Sequence, residues 1–251
     1  MAEDSARVRL PDLHDQILQG RALIERFAAI GFPRVEATSY SNPGVVPQFS
    51  DASELLRSLS RSPGVFYKAT CANPRAVQRA VADLDAGYGA SEISLLVSAT
   101  ESHTQKNLKR SRAGQWADIE EMVRAAGDRF RLVGTVSVAF GCPFEGKVDP
   151  GSVAEDVARF VDLGIEHVAI YEAGVRHFDS SFGGAGGHPA KLKYGGGHTG
   201  NVCTEDLVSL FEAMGIDTGI DLDGLIATAR FCEEVLGREL HGRVTRSGLS
   251  H

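Results

Sequence analysis

Residues 65–98 read VFYKATCANPRAVQRAVADLDAGYGASEISLLVS, and they show the pattern that the rest of the chain repeats. The two ends of this stretch, 65–70 and 92–98, are apolar segments with the character of strands. Between them, residues 74–84 place apolar side chains at helical spacing. A strand, a helix and a second strand in this order form a βαβ unit, and the two strands of such a unit are parallel.

The same alternation continues on both sides of this unit. Strands are predicted at 35–39, 130–139, 167–171 and 175–180, and helices at 17–30, 50–59, 116–126, 151–163, 205–214 and 222–236. Because eight such units need about 250 residues, the pattern predicts an α/β fold derived from a TIM barrel, with residues 1–251 as one domain. An open doubly wound sheet is the alternative, but the Gly-x-Gly-x-x-Gly sequence that would favour it is absent. Residues 1–15 form an N-terminal segment without a clear pattern, and residues 237–251 form a C-terminal tail.

One junction interrupts the alternation. The predicted strand at 167–171 runs almost directly into the predicted strand at 175–180, whereas neighbouring parallel strands need a connection of a dozen or more residues. Either these two segments are not adjacent strands, or residues have been lost between them. We therefore expect an incomplete barrel of about seven strands. An open sheet edge would favour low stability or self-association.

Composition and charge exclude several classes of protein. Acidic residues outnumber basic ones by 33 to 26, giving a formal net charge of −7, which argues against a protein that binds nucleic-acid phosphates. No apolar run approaches the roughly 20 residues that span a bilayer, and the N-terminus lacks the features of a signal peptide. The four cysteines form no Cys-x-x-Cys pair, which disfavours a disulfide scaffold or a zinc ribbon. We expect a soluble, cytoplasmic protein that binds neither nucleic acid nor membrane.

Glycines are concentrated at residues 183–200, which read GGAGGHPAKLKYGGGHTG and follow a predicted strand. Glycine lets the backbone approach a ligand closely and leaves a loop free to close over it. In a barrel, such a loop would lie at the carboxyl ends of the strands, where active sites form. A surface loop that binds no ligand is the alternative on composition alone.

Several motifs resemble the 3-hydroxy-3-methylglutaryl-CoA lyase family. They are VEATSY at 35–40 with VPQ at 46–48, SATES at 98–102 with KN at 106–107, SVAFGCPFEG at 137–146, DSS at 179–181 with the glycine loop and GN at 200–201, TEDL at 204–207, and GIDTGIDL at 215–222. These motifs occur in the family's order and cover the chain from about residue 20 onward. The resemblance implies a TIM-barrel lyase that cleaves a branched 3-hydroxyacyl-CoA into acetyl-CoA and a keto acid by retro-Claisen chemistry.

The resemblance also implies a metal ion. In the family, Mg²⁺ or Mn²⁺ chelates the hydroxyl and carboxylate oxygens of the substrate, which suits a hard cation. Carried over to this chain, the asparagine ligand matches Asn201. The aspartate ligand has its best match in Asp15. Two further histidine ligands form a His-x-His motif in the family, but none of the eight histidines here stands two residues from another.

The missing His-x-His motif would lie between Glu172 and Ala173, at the junction that is too short. At about 30 residues per unit, we estimate that about 45 residues are missing there. The glycine loop also departs from the family, because His188 stands where relatives have a catalytic cysteine. Histidine transfers protons near neutral pH, so His188 is a candidate catalytic residue.

The remaining candidates come from the other motifs. Glu36 matches an active-site carboxylate of the family, with a structural hydrogen bond at the rim of the barrel as the alternative. Thr38, in the same motif, is assigned to the substrate. Lys106 and Asn107 are assigned to the CoA phosphates or the substrate, with a solvated surface role as the alternative.

Three functions stay open at this point. The first is an active lyase that takes an acyl-CoA substrate with Mg²⁺ or Mn²⁺ as cofactor. The second is a catalytically impaired paralogue or truncated product. The third is a non-enzymatic interaction partner, for instance of a full-length relative, and a homo-oligomer is compatible with all three.

Overall fold

The structure is a computed structural model that describes residues 13–169, 180–184 and 202–248. Its strands are β1 (Arg34–Ser39), β2 (Phe66–Cys71), β3 (Glu92–Ser98), β4 (Arg131–Ser137) and β5 (His167–Ala169). Its helices are α1 (Leu13–Ala29), α2 (Ala52–Ser58), α3 (Pro74–Asp85), α4 (Glu101–Leu108), α5 (Arg112–Ala126), α6 (Pro150–Asp162), α7 (Thr204–Ala213), α8 (Leu222–Leu236) and α9 (Arg243–Ser247). Short 3₁₀ turns lie at Pro47–Phe49 and Phe182–Gly184.

The strands pair in chain order. In the described part of the chain, β1 to β5 form one parallel sheet in which each strand lies beside the next one in sequence. A doubly wound sheet would instead reverse its strand order at a switch point. The sequential order is that of a barrel wall, which confirms the predicted fold class over the open-sheet alternative.

The hydrophobic core lies between the sheet and the helices outside it. On β3, Ile93, Leu95 and Val97 are completely buried, and they share one core cluster with residues of α3 and α5 such as Val77 and Ile119. The alternate residues of the strands are mostly polar and point to the other face of the sheet. This alternation leaves the inner face of the wall available for polar side chains.

A β-bulge interrupts the pairing of β1 with β2. Glu36 pairs with Lys68, but the next pair along the strands is Thr38 with Ala69, so the register shifts between Glu36 and Thr38. Because residues on a strand alternate between faces, Glu36 and Lys68 share the inner face, whereas Thr38 shares the opposite face with Ala69. The bulge therefore places Glu36 and Thr38, the two candidate site residues of the VEATSY motif, on opposite faces of the sheet.

The C-terminal helices are tied to α1 through a close backbone contact. Gly31 follows α1 with φ of +108°, and a Cβ atom at this position would lie 2.6 Å from the carbonyl oxygen of Gly219. The N–H of Asp221, at the start of α8, donates to the carbonyl of Ile30. Only glycine combines this conformation with such close packing at the end of a helix.

Most predicted elements agree with the structure to within a few residues, and β3 and α8 have the predicted bounds. Helices α4 and α9 were not predicted. Residues 170–171 and 175–179, which belong to the fifth and sixth predicted strands, lie outside the described residues, so the predicted total of about seven strands stays a prediction. No helix in the described ranges is long and apolar enough to cross a membrane.

Candidate active-site cleft

A cleft of about 890 Å³ lies at the carboxyl ends of the first three strands, and we call it the β1–β3 cleft. Its walls come from the segments that follow β1, β2 and β3. The lining residues include apolar Tyr40, Val45, Val46, Phe49, Leu96 and Leu108 and polar Glu36, Thr70, Asn73, Arg75, Asn107 and Lys109. A cavity at strand ends that combines apolar walls with polar and charged side chains is typical of a small-molecule site.

Glu36 is the carboxylate at the base of this cleft, and two donors hold it. The Lys68 ammonium lies 2.9 Å from Glu36 Oε2, and the Thr70 hydroxyl donates to Glu36 Oε1 at 2.6 Å. The Glu36 side chain is 47% exposed, whereas the Lys68 side chain is only 5% exposed. The carboxylate therefore faces the cleft while its cationic partner is buried behind it.

Sequence reasoning did not single out Lys68. The available signal was a lysine in the middle of the strand sequence FYKATC, where a buried strand would have another apolar residue. Its partner could not be read from the sequence, because the pairing of Lys68 with Glu36 depends on the register of two strands.

The other candidates from the motifs separate in the structure. Asn107 lines the β1–β3 cleft. Lys106 is exposed, and its ammonium lies 4.0 Å from the centre of the Phe144 ring, which is a cation–π contact. Thr38 is buried, lies on the face opposite Glu36 and is not among the residues that line the cleft. Substrate binding by these residues stays a prediction.

Three predicted residues are not placed by the structure. His188 and Asn201 lie outside the described residues, and so does most of the glycine loop. Asp15 falls within α1, but its side chain is not described. Because strand carboxyl ends and the loops that follow them build one face of a barrel, we predict that Glu36, Asn201 and the glycine loop converge at one mouth of the sheet, and this stays a prediction.

The described residues do not form a metal centre by themselves. No group of three or more His, Cys, Asp or Glu side chains within the described ranges is arranged to hold an ion. Glu36 is already bonded to a buried ammonium, and that positive charge opposes a divalent cation at the same oxygens. A metal ion would need ligands from the part of the chain that includes Asn201.

Burial or a raised thiol pKa disfavours three of the described cysteines as nucleophiles. Cys71 is buried, and desolvation raises the pKa of its thiol to about 12. Desolvation, reinforced by nearby carboxylates, raises the pKa of the Cys203 thiol to about 11. Cys142 is buried, and its Sγ accepts from the Thr100 hydroxyl.

The sequential parallel sheet and the cleft at its carboxyl edge define an α/β-barrel protein with a candidate small-molecule site. No protein-family model matches the sequence. Hydroxymethylglutaryl-CoA lyase, mitochondrial, from Bos taurus is 30% identical over 274 residues, which cover 90% of this chain and 81% of that relative. (R)-citramalyl-CoA lyase from Chloroflexus aurantiacus is 28% identical over 283 residues, which cover 90% of this chain and 86% of that relative. The chain belongs to the hydroxymethylglutaryl-CoA lyase family.

A solved structure agrees with this assignment. The structure of an HMG-CoA lyase from A. baumannii, in complex with coenzyme A and 3-methylmalate, superposes on this chain with a TM-score of 0.83 and is 29% identical to it in sequence. The match covers 92% of this chain and 88% of the other. The TIM-barrel-type fold of this chain is therefore established both by its strand order and by its relatives.

The alignment with the bovine lyase also bears on the short junction. Since 90% of 251 residues is about 226, about 48 of the 274 aligned positions have no residue from this chain. In size, this shortfall is close to the segment of about 45 residues that the sequence pattern indicates as missing.

Proposed function

We propose that the chain is a carbon–carbon lyase that cleaves a branched 3-hydroxyacyl-CoA into acetyl-CoA and a keto acid. The observation that carries this proposal is the Glu36 carboxylate, which faces the β1–β3 cleft and is held by Lys68 and Thr70. Membership in a family of acyl-CoA lyases supports the same reaction. In this reaction the substrate hydroxyl loses its proton, the adjacent carbon–carbon bond breaks, and the resulting acetyl-CoA enolate takes up a proton.

Glu36 is suited to the first step. A carboxylate within hydrogen-bond reach of the substrate hydroxyl can accept its proton as a general base. His188 is the proposed proton donor to the enolate carbon, because a histidine exchanges protons near neutral pH.

Exposed cations at the rim support an acyl-CoA as the substrate. Arg75 and Lys109 line the cleft and are exposed, so they are available to bind the CoA phosphates. Asn107 lies in the same wall and can donate or accept hydrogen bonds. The related A. baumannii lyase was solved with coenzyme A, which is consistent with this class of ligand.

Metal dependence is part of the proposal. Mg²⁺ or Mn²⁺ would supply Lewis-acid stabilisation of the substrate oxygens. Asn201 and Asp15 are the proposed ligands from this chain. Calorimetric titration with either metal tests this part, and Asn201→Ala should weaken the binding.

The reaction is tested by acetyl-CoA release from 3-hydroxy-3-methylglutaryl-CoA and from citramalyl-CoA at saturating Mg²⁺ or Mn²⁺. With two imidazole ligands missing, we expect turnover far slower than that of a full-length relative. Glu36→Gln should lower kcat about 10²- to 10⁴-fold further, because it removes the base. Arg129→Gln is the control, since it removes an exposed cation at the amino end of β4. Turnover that survives Glu36→Gln would reject Glu36 as the base.

A non-catalytic role is the second candidate. The observation that favours it is the shortfall of about 48 aligned positions relative to the bovine lyase. If the wild-type chain releases no acetyl-CoA and binds no metal, this second candidate replaces the first. The cytoplasmic location predicted from the sequence is part of either proposal.

A further inference from the structure

A buried lysine on the inner face of the sheet has no explanation in the packing of the core. Lysine is almost never buried unless it is paired, and removal of an ammonium from water costs several kcal/mol. Lys68 lies in the middle of β2 with its side chain 5% exposed. An apolar residue of similar size at this position would fill the same space without that penalty, so stability alone does not account for Lys68.

The geometry around Lys68 is directed at Glu36. Glu36 is the register partner of Lys68 on β1, and Lys68 Nζ lies 2.9 Å from Glu36 Oε2. The other neighbour in register is Glu92 on β3, whose carboxylate has its own cations. Arg34 lies 2.6 Å and Arg131 3.5 Å from the Glu92 oxygens. Among the described residues, Glu92 thus has Arg34 and Arg131 as cationic partners, and Glu36 has Lys68.

Thr70 completes the arrangement. Lys68 and Thr70 are two residues apart on β2 and therefore point to the same face. Their polar atoms contact different oxygens of Glu36, Lys68 at Oε2 and Thr70 at Oε1. Two donors on one rigid strand fix both the position and the direction of the carboxylate, which a half-exposed glutamate with three rotatable bonds would not hold alone.

We propose that Lys68 is the positioning residue of the site. Its buried ammonium, together with the Thr70 hydroxyl, holds the Glu36 carboxylate in a single orientation at the base of the β1–β3 cleft. This inference rests on the proposed function, in which Glu36 accepts the proton of the substrate hydroxyl. Because Lys68 is itself buried, it acts through Glu36 and does not contact the substrate.

The first test is a double-mutant cycle on acetyl-CoA release with Lys68→Met, Glu36→Gln and the double variant. Misplacing a base by about 1 Å costs up to about 100-fold, so Lys68→Met should lower kcat about 10- to 100-fold and leave KM within about twofold. In the Glu36→Gln background, Lys68→Met should lower kcat less than about threefold, because the carboxylate that Lys68 positions is already lost. An equal loss in both backgrounds, or no loss in either, overturns the proposal.

The second test does not depend on turnover. Crystal structures of the wild-type chain and of Lys68→Met compare the Glu36 carboxylate directly. We expect it to leave the Thr70 hydroxyl in the variant and to keep that bond in the wild type. If the Glu36 carboxylate keeps its hydrogen bond to Thr70 in the variant without Lys68, the proposal is wrong even if the chain is an active lyase. If the wild type shows no turnover, the proposed function fails, whereas this comparison still decides the role of Lys68.

A variant that keeps a donor covers the case in which Lys68→Met does not fold. Lys68→Gln retains an N–H group near Glu36 but no charge. It takes the place of Lys68→Met in the double-mutant cycle, where a smaller loss of kcat that again disappears in the Glu36→Gln background supports the proposal, and an equal loss in both backgrounds overturns it. Arg129→Gln again serves as the control, because it removes a cation that does not contact Glu36.

Discussion

Asp83 is a buried carboxylate on α3 whose two oxygens accept hydrogen bonds from two tyrosines. The Tyr40 hydroxyl donates to Oδ2 at 2.7 Å, and the Tyr88 hydroxyl donates to Oδ1 at 3.1 Å. Burial, followed by the hydrogen bond to Asp83, raises the pKa of Tyr40 well above its ordinary value. Tyr40 therefore remains a donor over the whole physiological range of pH. Since Tyr40 also lines the β1–β3 cleft, the bond fixes one wall of the site.

Removing the hydroxyl of Tyr40 should destabilise the fold more than removing that of Tyr88. Tyr40→Phe leaves a buried carboxylate oxygen of Asp83 without its donor, which costs about 1–3 kcal/mol in the free energy of unfolding. Tyr88→Phe is the matched control, because Tyr88 is partly exposed and water can replace its hydroxyl. Urea unfolding of both variants measures the difference. Equal losses in the free energy of unfolding would show that burial of the Tyr40–Asp83 hydrogen bond contributes nothing to stability.

Helix α6 packs on β4 through a glycine. Phe160 of α6 is completely buried, and a Cβ atom at Gly134 of β4 would lie 2.6 Å from its ring. The absence of a side chain at Gly134 is thus what lets the aromatic ring contact the strand backbone. Asp149 begins this helix by accepting from the N–H of Ser152, which fixes where α6 starts above the sheet.

Gly134→Ala should therefore destabilise the protein although alanine is the better strand former. Overpacking of this kind costs about 1–3 kcal/mol, because the ring of Phe160 or the helix must shift. Gly141→Ala is the control: its nearest contact would be an ordinary 3.9 Å, and the change should stay within about 0.5 kcal/mol. Combining Gly134→Ala with Phe160→Leu should cost less than the sum of the single changes in thermal unfolding. Additive losses would exclude this contact as the cause.

The sheet as described ends in a short strand. Strand β5 has three residues, and within the described ranges it pairs only with β4, as β1 pairs only with β2. About 48 positions of the aligned bovine lyase have no counterpart here. A barrel with a missing segment leaves backbone N–H and C=O groups unpaired at an edge, and such an edge pairs with other chains.

We therefore predict that the purified chain self-associates. Sedimentation velocity over a range of concentrations should show dimers or larger species whose fraction rises with concentration, and thermal unfolding should be broad. Relatives of full length provide the control, since their closed sheets have no free edge. A monodisperse monomer with a sharp thermal transition would contradict the prediction.

Much of the local structure could be predicted from the sequence because it depends on local patterns. Period-two and period-3.6 spacing of apolar residues placed β3 and α8 at their observed bounds. The motif order also indicated the family that the comparisons confirm. Helix α4 was missed because its sequence, ESHTQKNL, buries only His103 and Thr104 and so carries little apolar periodicity.

The arrangement of the candidate site was decided by tertiary structure alone. Glu36 and Thr38 are two residues apart, so a regular strand would put them on one face, but the bulge places Thr38 with Ala69 on the other. Glu36 and Lys68 are 32 positions apart in the sequence, and only the parallel register of β1 and β2 brings an ammonium to that carboxylate. Sequence periodicity determines which residues form a strand and which are buried. It does not specify which residues of two strands face each other, because register depends on packing across the whole sheet.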